Sequence, residues 1–273
     1  MSERRGRRYA DLFGRLAREG EGAFIPFAMI GDPNPGQSGE RIRAMVTAGA
    51  DALELGLPFS DPIADGPVIQ AAATRALAAG VRRNDCWAII RELRAEYPEL
   101  PIGLLVYCNL VCHQTPDSFY RTAREAGVDS VLIADLPVAE SEPIVRSARN
   151  HGIAPVFIAP PNAGEAQLKA IAATSEGYTY VTSREGVTGA DDRLRRDQSA
   201  LIHRLRALGA PPPMLGFGIS NPAQVQTAMR MGAAGVIAGS AVVTRAAEGG
   251  DLRSLIHELK NATRRTATGM GNR

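Results

Sequence analysis

The chain of 273 residues has few of the features that mark membrane proteins, nucleic-acid-binding proteins or secreted proteins. It contains no apolar run close to the roughly 20 residues that a membrane span needs, and no apolar core of a secretory signal near its N-terminus. The formal net charge of only +2 gives no reason to expect a nucleic acid or an anionic membrane as a partner. We therefore expect a cytoplasmic protein.

Cysteine is also scarce. The three cysteines, Cys86, Cys108 and Cys112, are odd in number, which argues against a disulfide framework. Cys108 and Cys112 have the C-x3-C spacing of half a metal site, but no second pair of cysteines or paired histidines completes it. We predict three reduced thiols and no bound metal.

The sequence is rich in short β-forming runs that alternate with helical stretches. Several of these runs are near-continuous Val, Ile, Leu and Ala, as in parallel strands that are buried on both faces. The predicted strands cover residues 23–30, 51–55, 102–107, 130–134, 153–158, 178–182, 214–217 and 235–238. Helical stretches between them include residues 37–48, 87–96, 118–125, 140–150 and 222–231. Eight β-then-α units favour a closed (β/α)8 TIM barrel, an α/β fold, over an open doubly wound sheet.

A short phrase recurs where helices are predicted to end. Gly49, Gly127 and Gly232 each follow a helical stretch and precede a strand. Glycine tolerates the left-handed conformation that ends a helix. Since no linker divides the chain, we predict a single TIM-barrel domain over residues 1–273, with an extra N-terminal helix. Residues 1–8 and about 266–273 are predicted to be loose tails.

The chemistry of such a barrel takes place where its strands end. Glu54 stands in the apolar second strand, where a charged group loses hydration. It is either a structural carboxylate that accepts backbone hydrogen bonds or an acid/base group, and its place at the barrel mouth favours the second. The following loop contains Asp61 and Asp65 and is restrained by three prolines, Pro58, Pro62 and Pro67. One of these aspartates is a candidate cap of the next helix, and the loop sequence leaves open which aspartate faces inward.

Glycines after the last two strands predict a phosphate site. Gly218 follows the seventh strand, Gly239 follows the eighth, and a helix is expected to begin near Ser240. Glycine lets backbone N–H groups approach an anion, and the N-terminus of a helix adds its positive dipole end. Residues 183–190, after the sixth strand, are a mobile lid, a phosphate-facing turn or a plain surface loop. The predicted substrate is a phosphorylated small molecule.

The sequence places no lysine at a predicted strand end, where covalent catalysis would need one. The two lysines, Lys169 and Lys260, fall in helical stretches and not at strand ends, so a Schiff base at the mouth is not expected. The residues therefore favour general acid/base catalysis.

Six strings spread along the chain match a known family. They are residues 31–33 (GDP), 51–66 (DALELGLPFSDPIADG), 102–111 (IGLLVYCNLV), 177–180 (GYTY), 186–189 (GVTG) and 216–220 (GFGIS). From about residue 13 to residue 259, the chain resembles the tryptophan synthase alpha subunit family, and the second string is highly specific. The resemblance implies a carbon–carbon lyase of tryptophan biosynthesis that cleaves indole-3-glycerol phosphate to indole and glyceraldehyde 3-phosphate, without a cofactor of its own.

The resemblance also implies residue roles. Glu54 is the principal acid/base, which protonates the indole ring carbon that loses its side chain, and Asp65 is the carboxylate that engages the indole N–H. The other implied contacts are the phosphate-binding backbone of Gly189, Gly218, Gly239 and Ser240, the lid residue Thr188, Tyr180 near the glycerol chain, and the apolar walls Phe27, Leu105, Leu132 and Phe217.

The implied partner is a beta subunit that holds pyridoxal phosphate and receives indole within an αββα heterotetramer. Two alternatives remain open at this point: a stand-alone lyase that releases free indole, and a catalytically silent barrel that activates a partner. Cys108, Cys112 and His113 depart from the family pattern in the segment that the resemblance places at the docking surface for the beta subunit.

Overall fold

The computed structural model describes residues 7–182, 192–216 and 218–264, without the side chains of residues 192–197. Within these residues, parallel strands form one sheet in the order β5-β4-β3-β2-β1-β9-β8-β7-β6. The strands are β1 (Ala23–Met29), β2 (Leu53–Gly56), β3 (Ile102–Val106), β4 (Ser130–Ile133), β5 (Ala154–Val156), β6 (Ile158–Ala159), β7 (Thr179–Thr182), β8 (Pro213–Gly216) and β9 (Gly235–Ala238).

The two ends of this sheet are two parts of one predicted strand. The sequence predicts a single strand over residues 153–158, whereas the structure interrupts it at Phe157. The Phe157 carbonyl accepts the Tyr180 N–H (3.0 Å), and the chain changes here from pairing with β4 to pairing with β7. The interruption closes the sheet into a barrel of eight strands, one of them in two pieces. The predicted α/β TIM-barrel fold is confirmed.

Helices alternate with the strands around the barrel. They are α1 (Arg8–Glu19), α2 (Pro35–Thr47), α3 (Pro67–Ala78), α4 (Arg83–Glu96), α5 (Cys108–Cys112), α6 (Pro116–Ala126), α7 (Glu142–Asn150), α8 (Glu165–Thr174), α9 (Asp192–Ala207), α10 (Pro222–Arg230), α11 (Ser240–Ala247) and α12 (Leu252–Asn261). The five predicted helical stretches correspond to α2, α4, α6, α7 and α10, and a 3-10 turn at Val138–Glu140 precedes α7. None of the helices described is both long and apolar enough to cross a bilayer.

Local sequence sets both ends of several helices. Asn34, Thr115 and Asn221 each accept a backbone N–H at 3.1 Å from three residues on, and a proline follows each of them. Such side chains satisfy a donor of the first turn, while proline suits the first helical position. At the other end of the barrel, Gly49 and Gly127 have φ of 109° and 92°, which confirms the predicted glycine terminators.

The barrel interior forms its own apolar layer, separate from the layer between strands and helices. On β2, Leu53 and Leu55 pack outward against helices, so that Ala52 and Glu54 face inward. The interior contains Leu12, Leu16, Ala23, Ile25, Ala52, Leu132, Val156, Met214, Ile237 and three tyrosines, Tyr9, Tyr178 and Tyr180. The residues of α1 in this group close the amino-terminal end of the barrel, which we call the floor; the opposite end is the mouth.

The extra N-terminal helix predicted from the sequence is α1. Arg8 is its first residue, and the Arg8 guanidinium is buried against Asp129 (Nη1–Oδ1, 2.6 Å). The predicted loose tail over residues 1–8 therefore extends too far, because Arg8 is part of the packed floor. Residues 1–6 and 265–273 lie outside the described residues.

Candidate active site

Glu54 lies in β2 between Phe27 of β1 and Gly103 of β3, which are its partners in the parallel register. Its side chain faces the barrel interior and is only 2% exposed. The Tyr178 hydroxyl, which comes from the opposite side of the barrel, donates a hydrogen bond to Glu54 Oε1 (3.0 Å). Glu54 is thus an acid in an apolar interior, and the neutral Tyr178 hydroxyl orients it.

The surroundings of Glu54 favour its protonated form. Burial raises the pKa of Glu54 to about 7, and the nearby Asp65 carboxyl adds to the increase, while the Tyr178 hydrogen bond opposes it. Among the residues that the structure describes, no lysine or arginine pairs with Glu54. The group therefore titrates close to neutral pH.

Asp65 stands at the end of the loop between β2 and α3. It is half-buried, and the Tyr107 hydroxyl donates to its carboxylate; burial is the main cause that raises the pKa of Asp65. Tyr107 also accepts the Ala64 N–H on its Oη (3.1 Å) and stacks against Phe59 at 5.3 Å between ring centroids. One buried tyrosine thus holds both ends of the loop.

Asp61 and Asp65 have different environments although they share one loop. Asp61 is exposed, and its carboxylate accepts a hydrogen bond from the neighbouring Ser60 hydroxyl. Asp65 is close enough to Glu54 to raise its pKa. Asp65 therefore lies toward the interior acid, and Asp61 lies in solvent. Neither aspartate caps α3, whose N-cap is Gly66 without a side-chain hydrogen bond.

Apolar side chains surround the two acids. Phe27 is buried and Leu105 is half-buried, and the buried Leu132 pairs with Leu105 in the β3–β4 register. A Cβ at Gly56 would lie 2.7 Å from the Phe27 ring, so glycine leaves the space that this ring occupies. Of the predicted walls, these three lie at the mouth, whereas Phe217 lies outside the described residues.

Tyr180 of β7 completes this side of the mouth. Its ring lies over Gly216 of β8, where a Cβ would come within 2.2 Å of the Tyr180 hydroxyl. Burial raises the pKa of Tyr180, and the Glu54 and Asp65 carboxyls raise it further. Tyr180 therefore lies close to both acids.

The glycines that the sequence predicts for phosphate binding lie at the ends of β8 and β9. Gly218 has φ of +74°, a backbone conformation that L side chains rarely adopt. Helix α11 begins at Ser240 as predicted, with Gly239 as its N-cap. Its first intrahelical bond runs from the Val243 N–H to the Gly239 carbonyl (3.0 Å), so the preceding N–H groups of the first turn point toward the mouth.

One side chain, Phe27, lies between the Gly239 end of the mouth and Glu54. A Cβ at Gly239 would lie 3.8 Å from the Cβ of Phe27, and Phe27 is the register partner of Glu54. Thr188 and Gly189, which the resemblance assigns to the lid and the phosphate, lie outside the described residues.

Sequence reasoning missed the tyrosines that support the acids. Tyr178 contacts Glu54 across 124 residues of sequence, and Tyr107 bonds to Asp65 from the next strand along the barrel. Beneath them, the Tyr9 hydroxyl shares a hydrogen bond with the Ser130 hydroxyl (2.8 Å). A tyrosine within an apolar strand occupies the same position in the hydrophobic pattern as a core residue. The pattern therefore gives no indication of these hydrogen bonds.

The cysteines are free thiols, as predicted. Cys86 is buried, Cys108 is half-buried and Cys112 is exposed. The described residues contain no cluster of three or more His, Cys, Asp or Glu side chains that is able to hold a metal ion.

Comparison with known proteins identifies the family. The family model for the tryptophan synthase alpha chain matches residues 13–270. The chain is 56% identical over 236 residues to the tryptophan synthase alpha chain of Shewanella oneidensis, which is 86% of this chain and 85% of that one. The chain belongs to the tryptophan synthase alpha chain family. The family predicted from the six strings is therefore confirmed.

Solved structures agree with this membership. The tryptophan synthase alpha subunit of Legionella pneumophila superposes with a TM-score of 0.84 at 29% identity, over 94% of this chain and 98% of that one. A chain of the tryptophan synthase complex from Pyrococcus furiosus has a TM-score of 0.80 at 33% identity, over 88% of this chain and 98% of that one. The match thus extends over nearly the whole barrel in both cases.

Proposed function

We propose that the mouth of this barrel cleaves indole-3-glycerol phosphate to indole and glyceraldehyde 3-phosphate, with Glu54 as the acid/base and Asp65 as its helper. By its family, the protein is a carbon–carbon lyase of tryptophan biosynthesis. The observation that carries the residue assignment is the burial of Glu54 beside Tyr178 and Asp65, which brings its pKa to about 7. Both protonation states of such a group are populated near neutral pH, so it is able to donate a proton and to accept one.

The proposed reaction begins with a proton transfer to carbon. Glu54 protonates the indole ring carbon that bears the glycerol chain, and the ring becomes an indolenine whose nitrogen carries the positive charge. The Asp65 carboxylate accepts a hydrogen bond from the ring N–H and stabilises that charge. Glu54, now a carboxylate, takes the proton of the adjacent side-chain hydroxyl. The carbon–carbon bond breaks, its electrons return to the ring, and the hydroxyl carbon becomes the aldehyde.

The mouth also supports a pose for this substrate. The backbone N–H groups near Gly218, Gly239 and Ser240 suit the phosphate, because a helix N-terminus and bare glycine backbone favour an anion. Phe27 connects that end to Glu54. The remaining proposed contacts are Leu105 and Leu132 on the indole, Tyr180 on the glycerol chain, and Thr188, Gly189 and Phe217 in the roles that the resemblance implies.

The proposal includes a partner and a location. The chain pairs with a tryptophan synthase beta subunit in an αββα assembly, pyridoxal phosphate belongs to that subunit, and residues 1–273 serve as one barrel domain. The Pyrococcus furiosus match, a chain of a tryptophan synthase complex, supports the pairing. A cytoplasmic location suits an enzyme of amino-acid biosynthesis with three free thiols.

Indole release from indole-3-glycerol phosphate tests the residue roles. Glu54→Gln should lower the rate by roughly 10²–10⁴-fold, the usual contribution of a positioned acid/base group, and Asp65→Asn should lower it by roughly 10²-fold. Asp61→Asn is the matched control, since it makes the same change in the same loop on an exposed side chain, and it should keep the native rate. A near-native rate for Glu54→Gln, or an Asp61→Asn variant as slow as Asp65→Asn, would contradict the assignment.

The same assay with and without a beta subunit tests the pairing. Slow indole release by the chain alone, strongly accelerated by the added beta subunit, is the expected result. Fast release that a beta subunit leaves unchanged would instead favour a stand-alone lyase.

A further inference from the structure

A pair of thiols lies on a single helical turn beside the mouth. Helix α5 begins directly after Tyr107 and consists of five residues, with Cys108 at its start and Cys112 at its end. The two Sγ atoms are 3.7 Å apart. Cys112 is exposed and Cys108 is half-buried, whereas Cys86, the third cysteine, is 2% exposed and far from both in sequence.

The positions of the two cysteines suit a covalent bond between them. Residues four apart in a helix have Cα atoms about 6 Å apart, since the helix rises about 1.5 Å per residue. Disulfides usually join Cα atoms that are about 4.4–6.8 Å apart, so the backbone spacing already falls in the permitted range. The sulfurs must approach from 3.7 Å to about 2.05 Å, which small rotations of the two side chains accomplish.

We propose that Cys108 and Cys112 form a reversible intramolecular disulfide by exchange with a low-molecular-weight disulfide such as oxidised glutathione. This site lies outside the acid/base machinery, and in the chain without a beta subunit its formation does not depend on the proposed function.

The exchange has a defined order. The exposed Cys112 reacts first: its thiolate attacks the small disulfide, forms a mixed disulfide and releases one small thiolate. Cys108 then gives up its proton to water and attacks the Cys112 sulfur, which expels the second small thiolate. Two protein thiols are oxidised by two electrons and one small disulfide is reduced to two thiols. Burial and the neighbouring Cys112 raise the pKa of Cys108 to about 11, which fits Cys108 as the second, resolving thiol.

The surroundings of the pair place this modification next to the candidate active site. The Cys108 N–H donates to Asp135 Oδ1 (2.7 Å) in the loop that follows β4. The residue before it, Tyr107, holds Asp65 and the loop backbone at Ala64. A bond between the thiols would therefore form one residue from the side chain that positions the second carboxyl.

Peptide mapping of the full native chain tests the proposal. Cleavage after arginine yields one peptide, residues 95–121, that contains both Cys108 and Cys112, and a separate peptide, residues 84–91, that contains Cys86. The native protein is incubated with oxidised glutathione and then unfolded in denaturant with a maleimide, which alkylates the remaining thiols at mildly acidic pH, and the peptides are weighed. We expect peptide 95–121 to be unalkylated and two hydrogens lighter, peptide 84–91 to be fully alkylated, and dithiothreitol to reverse the change.

Two matched variants identify the order of the exchange. Cys108→Ser lacks the resolving thiol and should accumulate a glutathione adduct on Cys112, while Cys112→Ser should keep most of Cys108 as an alkylated thiol. The proposal is overturned if native peptide 95–121 carries two alkyl groups, carries glutathione without the internal bond, or is linked to a second copy of the chain.

Discussion

The floor and the mouth of the barrel both bury carboxyl groups, in opposite electrostatic surroundings. On the floor, Asp129 contacts the guanidinium groups of Arg8 and Arg94, each at 2.6 Å. Burial raises the pKa of Asp129, whereas the Arg94 and Arg8 guanidinium groups and the Ile102 N–H act to lower it. At the mouth, the neutral Tyr178 hydroxyl is the donor to Glu54 among the described residues, and the pKa of Glu54 rises to about 7.

The floor arrangement occurs twice, at the starts of β2 and β4. Asp51 donates its N–H to the Phe24 carbonyl (3.0 Å) and accepts the Phe24 N–H on its side chain (2.9 Å). Asp129 makes the same two contacts with Ile102, each at 2.8 Å. Lys260 neutralises Asp51 (2.8 Å), as the arginines neutralise Asp129. Both aspartates follow a helix-ending glycine, so each fastens one strand to the preceding one.

The contrast shows how one fold assigns different tasks to the same chemical group. A buried carboxylate with cations and backbone donors around it links neighbouring elements of the fold. A buried acid without neighbouring cations is not compensated for its lost hydration, so its pKa is raised. The floor therefore contributes stability, and the mouth keeps an acid that titrates near neutral pH.

Asp129→Asn tests the floor and should have the largest effect on stability. It leaves Arg8 and Arg94 buried without their counter-charge, which should lower the free energy of unfolding by about 3–5 kcal/mol. Urea denaturation measures this loss. Asp117→Asn, which removes an exposed partner of Arg121 and His151, should cost far less stability.

Indole release by the folded fraction of Asp129→Asn completes this test. Since Asp129 lies at the opposite end of the barrel, the rate per folded molecule should stay close to the native rate. If Asp129→Asn were as stable as the native protein, or folded but lost its activity, the division between a stabilising floor and a catalytic mouth would be wrong.

Glu54→Gln should have the opposite effect on stability at neutral and higher pH. The folded-state pKa of about 7 lies above the ordinary value of 4.5, so the folded state binds this proton more tightly than the unfolded state. The native protein therefore loses stability as pH rises from about 4.5 to about 7, by up to about 3 kcal/mol. Above that window, Glu54→Gln should be the more stable protein by a similar amount.

Urea denaturation at pH 5 and pH 8 measures this difference. The advantage of Glu54→Gln should be large at pH 8 and should nearly vanish at pH 5. An equal difference at both values would mean that Glu54 does not carry a raised pKa in the folded chain.

Tyr178→Phe should have the smallest of these effects. Its hydroxyl donates to the Glu54 carboxylate and lowers the pKa of that group, so its removal should shift the pKa of Glu54 further upward. A hydrogen bond worth about 0.5–1.5 kcal/mol corresponds to a shift of up to about one pH unit. The pH dependence of kcat/KM for indole release reports this value.

Tyr9→Phe is the control for that experiment. It removes a buried hydroxyl from the same interior layer, but one that bonds to Ser130 and not to Glu54. The kcat/KM profile of Tyr9→Phe should show the native pKa. Equal pKa shifts in Tyr178→Phe and Tyr9→Phe would mean that a less tightly packed interior, and not the lost hydrogen bond to Glu54, causes the shift.

Much of the fold was predictable because its signals are local. The β-then-α alternation, the glycine terminators and the start of α11 at Ser240 depend on neighbours within a few residues, and the structure bears them out. The interruption at Phe157 was not predicted, because an apolar residue in an apolar run gives no sign that the pairing partner changes there. Arg8 was assigned to a tail for a similar reason, since its partner Asp129 lies 121 residues away.

The candidate site also has some features that the sequence predicts and others that only the tertiary structure reveals. Sequence alone determined that an acid interrupts the apolar second strand and that a proline-restrained loop with two aspartates follows it, since both are facts of residue order. Asp65, the aspartate that the family resemblance already favours, lies near Glu54. Only the tertiary structure decided that Tyr178 holds Glu54 while no cation among the described residues neutralises it. The physical reason is that a pKa depends on burial and on charges within a few ångströms, and those neighbours come from strands far apart in the chain.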